Sequence, residues 1–438
     1  MAGKTRELKV RGIEGLAVAG YKSIKDEQTL RIAPLTLLAG VNSAGKSSLM
    51  QPLLLMKQTL EASYTTGPLL LHGPHVKFRN SSELLTQFRN QASSQLPVVF
   101  EVSNGSQRLR VGFEHDETLQ LSENTFTAWG REHRLRRGMT NKEIRKALHG
   151  NLGFFDRRWA LTLVPRRFFF DVAPQGSDVT ERYGFNAFIH DWAITAIQSV
   201  LHLPGLRGNP ERSYARTAIN GPYAGPFSPY TASVIADWEE NKSDKRQRLA
   251  ADLVELGLTW KVVAEAVSDT EVSVRVGRLG SPQQGGAHDL VSIADVGVGV
   301  SQVLPLLVAL HTAKPGQLVY VEEPEIHLHP RAQVALASVL ARAMKRGVRI
   351  VAETHSPLLL LAVQTLVARG EMPAEDVNLA WVERDEDGYT TVRQVTPDRN
   401  GGFGDWPVDF ADVELEAQQR FLEAAMARTE LPRRRARA

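Results

Sequence analysis

Cysteine is absent from the 438-residue sequence, which excludes disulfides, thiolate zinc sites and a cysteine nucleophile. Long hydrophobic runs are absent as well. The longest, Val303 to Leu310, is far shorter than a bilayer span and contains Pro305. The opening residues, Met-Ala-Gly-Lys-Thr-Arg, lack the apolar segment of a secretion signal. A soluble cytoplasmic protein with no membrane association is the expectation. Net charge is small, with 52 Lys and Arg against 49 Asp and Glu giving +3. The remaining composition, 42% hydrophobic and 23% charged, is that of an ordinary globular chain. Its length exceeds one typical domain, so one large α/β domain with insertions, or two domains, is expected.

What is present begins at residues 40–48, Gly-Val-Asn-Ser-Ala-Gly-Lys-Ser-Ser, directly after the apolar run Leu35 to Ala39. This is a G-x-x-x-x-G-K-S pattern set between a strand and a helix. Backbone N–H groups of such a turn face a polyphosphate, and the following helix adds the positive end of its dipole. Gly40, Asn42, Ser43, Ala44, Gly45, Lys46, Ser47 and Ser48 are therefore the candidate nucleotide-binding residues. Lys46 is expected to reach the outer phosphates and Ser47 to hold Mg²⁺. The cofactors implied are ATP and Mg²⁺.

Alternating patterns predict strands at Gly15–Ala19, Thr29–Ala33 and Leu35–Ala39, then a helix through Leu49, Leu53 and Lys57 to about Ala62. Val98–Val102 and Leu109–Phe113 read as a meander turning at Asn104-Gly105. Residues 131–150 read partly as helix. Phe185, Phe188, Ile189, Trp192, Ala196 and Val200 fall on one helical face and read as packing. The division expected is an N-terminal ATPase lobe over 1–129, an inserted, largely helical region over 130–258, a C-terminal lobe over 259–410, and a closing helix with a basic tail over 411–438. Between Arg131 and Arg167 eleven Lys or Arg face three acids, Glu132, Glu143 and Asp156. Such a cluster suits phosphate backbones, although a charge run is commonly a solvated face.

Further chemistry lies in the last third. Gln317 to Val321 is a short apolar strand ending in Glu322-Glu323-Pro324-Glu325. A carboxylate at such a strand tip suits Mg²⁺, which gives the metal-side role to Glu322 along with Ser47. The next acid, Glu323, is placed to orient and deprotonate a water. Asp295, Gly297, Gly299 and Ser301 open a helix running from Val303 to Thr312 and offer a small-residue, anion-binding surface. His355 follows the apolar strand Val348 to Val351. His327 and His329 show H-x-H spacing without a third ligand, so a metal role is not favoured for them.

In chain order (phosphate loop, the helix start from Asp295 to Ser301, Glu322-Glu323-Pro324, then His355) the motifs resemble ABC-type ATPases of the RecF/SMC/OLD group. The resemblance covers about the first 60 residues and 290–360, and it implies an α/β ABC-type P-loop ATPase head with a mixed central sheet and an α-rich middle insertion. It further implies catalytic roles for Lys46, Glu323 and His355, the last as a γ-phosphate sensor. The segment with Gly297, Gly299 and Ser301 is implied to complete the site of a second protomer, giving an ATP-dependent homodimer or higher oligomer. That segment departs from the group in lacking consecutive glycines, and the acidic pair departs in having Glu322 where Asp is commoner. A switch glutamine is also implied, with Gln87 and Gln91 as candidates. The Asp405-Trp406-Pro407 turn and closing helix resemble stand-alone AAA-type ATPases without a fused nuclease, such as those of the Septu and PARIS anti-phage systems. A separate effector, a nuclease, is thereby implied as partner. The alternative is a RecF-like DNA-binding ATPase in repair or maintenance, with nucleic acid on residues 131–167.

Overall fold

The computed structural model describes residues 12–63, 67–87, 96–128, 130–148, 158–175, 191–219, 221–281, 288–404 and 419–420. Gln91, Phe185, Phe188, Ile189, the Asp405-Trp406-Pro407 turn and the basic tail lie outside the described residues.

Strands β1 (Gly15–Ala19) and β2 (Gln28–Arg31) lead into β3 (Leu35–Gly40), and the helix α1 (Lys46–Glu61) follows the phosphate-type loop. Then come β4 (Val98–Asn104), β5 (Gln107–His115), β6 (Leu119–Ala128) and β7 (Arg131–Arg136). Together β2-β1-β4-β5-β6-β7 form a six-stranded antiparallel sheet. The stretch expected to be partly helical thus supplies β7 before its helix, Asn141–Ala147, begins. His133 and Leu135 point inward from β7 while arginines alternate outward, a strand period that charge obscures.

The middle segment continues with a hairpin, β8 (Leu161–Arg166) and β9 (Phe169–Pro174), then β10 (Leu201–Leu203) and β11 (Tyr214–Ala215). Its helices are Asp191–Gln198, Thr231–Glu240 and Lys245–Glu255, besides Asn141–Ala147. A small sheet of β11, β12 (Val262–Ala266), β13 (Glu271–Gly277) and β14 (Leu290–Ser292) follows. The chain returns through β15 (Leu318–Glu322), β16 (Arg349–Glu353), β17 (Val377–Arg384) and β18 (Thr390–Val395).

The central sheet has the order β10-β15-β16-β3-β17-β18, parallel except for the β17–β18 hairpin. Side-chain alternation splits it between two cores. Leu35, Leu37, Val319, Val321, Ile350 and Ala352 face the helices Val298–Thr312, Pro330–Lys345 and Pro357–Ala368. Leu38, Tyr320, Val351 and Val382 face α1, which is sandwiched against the antiparallel sheet. Leu53, Leu54, Leu55 and Met56 of α1 are all at most 1% exposed, each burial being worth about 2 kcal/mol. The phosphate-type loop is therefore anchored at both ends by buried structure. No helix among the described residues is long and apolar enough to cross a membrane.

Candidate functional site

β3, an interior strand, delivers Gly40 to the carboxyl end of the central sheet's parallel strands with φ +146°, where a Cβ would lie 2.1 Å from the Val382 carbonyl oxygen. Gly45, the cap of α1, has φ +107°, and a Cβ there would lie 2.3 Å from Thr390 Oγ1. Both positions demand glycine. The β17–β18 hairpin grips the loop between them. Arg384 donates to the Ser43 carbonyl through Nε at 3.0 Å and Nη2 at 2.7 Å. Thr390 Oγ1 donates to the Ala44 carbonyl at 2.7 Å, so the nearby Ser23 hydroxyl donates to Thr390. Ser43 is left-handed at φ +62°; Asn42 is exposed and Ser48 half-buried in the first turn of α1. Lys46 is 5% exposed and donates to the carbonyls of Gly40 at 3.0 Å and Val41 at 3.1 Å. Burial pulls its pKa down, opposed by Glu353, Glu323 and Glu325.

Glu322 and Glu353 are register partners at the ends of β15 and β16. Ser47 Oγ donates to Glu353 Oε1 at 3.0 Å, and the buried Tyr320 hydroxyl donates to Glu353 Oε2 at 2.9 Å. Burial, then the Glu322 charge, pushes the Glu353 carboxyl up to about 7. Glu322 accepts from His202 Nε2 at 3.1 Å and from the Gly205 N–H at 3.1 Å. Burial works against its ionisation, yet these hydrogen bonds hold its carboxyl below the ordinary range. The sequence pointed to Glu322 as the acid beside Ser47; the side chain that bonds Ser47 is Glu353, with Glu322 on the adjoining strand.

Glu323 turns out of the strand in a left-handed conformation, φ +45°, and its N–H donates to the Glu353 carbonyl at 2.7 Å. Its charge is felt at both Lys46 and His355, so the three converge. The His355 N–H donates to Glu325 Oε1 at 2.7 Å, as does Thr354 Oγ1 at 2.7 Å. Burial, then Lys46, holds the His355 ring below its ordinary pKa, partly offset by Glu323; the ring is neutral at pH 7.

The segment from Asp295 is tied to other parts of the fold. Asp295 pairs with Arg212 at 2.8 and 3.2 Å. Gly297 caps the helix Val298–Thr312 and has open space where a Cβ would stand. At Gly299 a Cβ would come 3.1 Å from the His327 carbonyl oxygen, and Ser301 Oγ donates to the Val298 carbonyl at 2.9 Å. Arg207, which the sequence did not flag, donates to the carbonyls of Gln302 and Glu322, each at 2.7 Å. Burial lowers its pKa to about 10, which leaves it charged. It joins the helix start to the acidic strand end. His327 is exposed at φ +63°, and His329 caps the next helix by accepting from the Arg331 N–H. Among the described residues no group of three or more His, Cys, Asp or Glu is arranged to hold a metal. Gln87 lines a cavity of about 570 Å³ with Lys22, Arg384 and Tyr389 beside the loop.

A hard divalent cation fits the Ser47 corner. Hydroxyl and carboxylate oxygens converge there, and the raised Glu353 pKa marks buried negative charge that lacks full compensation. Mg²⁺ suits such a corner because it takes few protein ligands and completes its shell with water and phosphate oxygens.

Fold and site together define a P-loop α/β domain built on a mixed central sheet. The family model described as "AAA domain, putative AbiEii toxin, Type IV TA system" matches residues 35–362, and the chain belongs to that family. Among solved structures it is similar to an SMC head bound to the C-winged helix domain of ScpA, at 13% identity over 88% of this chain and 98% of that one, TM-score 0.43. It is also similar to the SMC head domain from Thermotoga maritima, at 12% identity over 88% and 99%, TM-score 0.39. A Smc head with an extended coiled coil, bound to the C-terminal domain of ScpA derived from Pyrococcus furiosus, gives 12% identity over 95% and 99%, TM-score 0.43. No curated protein matches the chain.

Proposed function

We propose that the chain binds ATP with Mg²⁺ and hydrolyses it to ADP and phosphate, using the cycle to switch its association with a second copy. The observation that carries this reading is the convergence of Lys46, Ser47, Glu353, Glu323 and His355 at the carboxyl ends of the parallel strands of the central sheet. Loop N–H groups and Lys46 hold the outer phosphates, once Lys46 leaves the carbonyls of Gly40 and Val41. Ser47, Glu353 and Glu322 would hold the cation, which when bound would supply positive charge to the phosphate oxygens. Glu323 orients a water in line with the γ-phosphorus and accepts its proton. His355, kept neutral, donates a hydrogen bond to the γ-phosphate and reports its presence. Gly297, Gly299 and Ser301 offer a helix N-terminus to the nucleotide of a partner copy.

The output is control of a separate effector, a nuclease, in anti-phage defence. Pairing within the basic region favours this over a DNA clamp. Arg134 and Arg136 approach Glu123, Arg166 approaches Asp171, and Arg167 donates to the carbonyls of Leu60 and Ala62. Those pairings partly neutralise a surface that a clamp would present to phosphate, although Arg134, Arg136 and Arg166 stay more than half exposed. The test is purification with the product of the adjacent gene, with DNA affinity measured at low and high salt. Co-purification with weak DNA binding supports effector control; tight, steeply salt-dependent DNA binding without a protein partner contradicts it.

A further inference from the structure

Behind the acidic strand lies a line of buried polar side chains that the chemistry above does not use. His202, on the edge strand β10, is 2% exposed, and its Nε2 lies 3.1 Å from Glu322 Oε1. An ionised carboxylate only accepts, so His202 Nε2 carries the hydrogen. The same ring stacks on Tyr320 with centroids 5.2 Å apart and planes 12° from parallel. Tyr320 in turn donates to Glu353. One imidazole therefore supports both carboxylates, one by hydrogen bond and the other through the ring it packs against.

His202 is itself held. Its Nδ1 lies 2.9 Å from Nδ1 of His75, whose side chain is fully buried. One of these two Nδ1 atoms donates and the other accepts. His75 Nε2 lies 3.7 Å from Glu61 Oε2, and Glu61 Oε1 lies 2.6 Å from Lys57 Nζ. Lys57 also donates to the carbonyls of Gln198 and Tyr223. Lys57 and Glu61 belong to the last turns of α1, the helix whose first turn carries Lys46 and Ser47. The helix is thus joined to the acidic pair by a hydrogen bond at its start, through Ser47 and Glu353, while at its end Glu61 approaches His75 without a hydrogen bond. Burying this many polar groups costs stability unless each is partnered.

We propose that His202, backed by His75, is the positioning residue for the Glu322 and Glu353 carboxylates, and so sets how tightly the nucleotide site takes up a divalent cation. The inference rests on the nucleotide-site reading above. Groups that orient a ligating carboxylate commonly change metal affinity by about 10- to 100-fold when removed.

The experiment titrates ATP into the full chain by calorimetry, once in EDTA and once with Mg²⁺, and reads the gain in affinity that Mg²⁺ brings. His202→Phe keeps a ring against Tyr320 but loses the donor, and the gain should fall about tenfold or more. Affinity in EDTA should stay within about twofold, because Lys46 and the loop are untouched. His202→Gln, whose amide nitrogen can replace Nε2, should restore most of the gain. A packing role alone would lower both affinities together and would not be rescued by Gln; that result, or an unchanged gain in His202→Phe, overturns the proposal. If His202→Phe does not fold, His75→Leu decides by the same readout, a reduced gain supporting the proposal and an unchanged one overturning it. Wild-type protein that binds no ATP under either condition would instead refute the nucleotide-site reading.

Discussion

Ser47 and Glu353 stand 306 residues apart in the chain, and the Ser47 hydroxyl donates to the Glu353 carboxylate at 3.0 Å. Lys46, one residue earlier, is satisfied by the carbonyls of its own loop. The Lys46 ammonium and the Glu353 carboxyl thus both have partners within the protein, which offsets the cost of burying them.

Glu353 makes the free protein sensitive to pH. Its carboxyl is held at about 7 in the folded chain against an ordinary value of 4.5. Between those values the folded state binds more protons than the unfolded state, so this contribution to stability falls as pH rises. In urea denaturation without nucleotide, Glu353→Gln should gain stability relative to wild type as pH is raised from about 5 to about 8. Parallel pH profiles would show that Glu353 ionises normally.

Lys46→Ala should weaken ATP binding by about 100-fold or more, since several charge-assisted hydrogen bonds disappear. Fold stability should also fall, by about 1–3 kcal/mol, because the carbonyls of Gly40 and Val41 lose their donor. Calorimetric titration and urea denaturation read the two effects separately; ATP affinity equal to wild type would place phosphate elsewhere.

Gly45 and Gly297 should respond differently to alanine. At Gly45 the backbone is left-handed and Thr390 Oγ1 blocks the Cβ, so Gly45→Ala should cost about 2–4 kcal/mol of stability. Gly297 has ordinary φ and open space, so Gly297→Ala should cost less than about 1 kcal/mol. The same Gly297 variant should weaken ATP-dependent self-association, read by light scattering. Equal stability losses at the two glycines would contradict the described packing.

Much of the nucleotide half was legible in the sequence because local rules govern it. The apolar strand before Gly40, the two glycines and the helix after Lys46 are adjacent in the chain, and the structure keeps them so. Glu322, Glu323 and His355 were legible as strand ends. Contacts spanning hundreds of residues were not. Glu353 sat in view two residues before His355, yet nothing local says that it bonds Ser47. The β17–β18 hairpin that grips the loop was missed although Leu379 to Val382 is an apolar run. His202 drew no notice because it follows closely on the packing stripe that ends at Val200, yet it lies on a separate edge strand. β7 was hidden because its arginines alternate with a histidine and a leucine that alone face inward.

The most direct test of an ATP-hydrolysing switch is phosphate release and nucleotide retention measured side by side for wild type and Glu323→Gln. The wild type should release phosphate from Mg·ATP. The variant should be slower by about 100-fold or more while still holding ATP, because only the base has been removed. Turnover equal to wild type in Glu323→Gln, or no phosphate release by the wild type, would contradict the account.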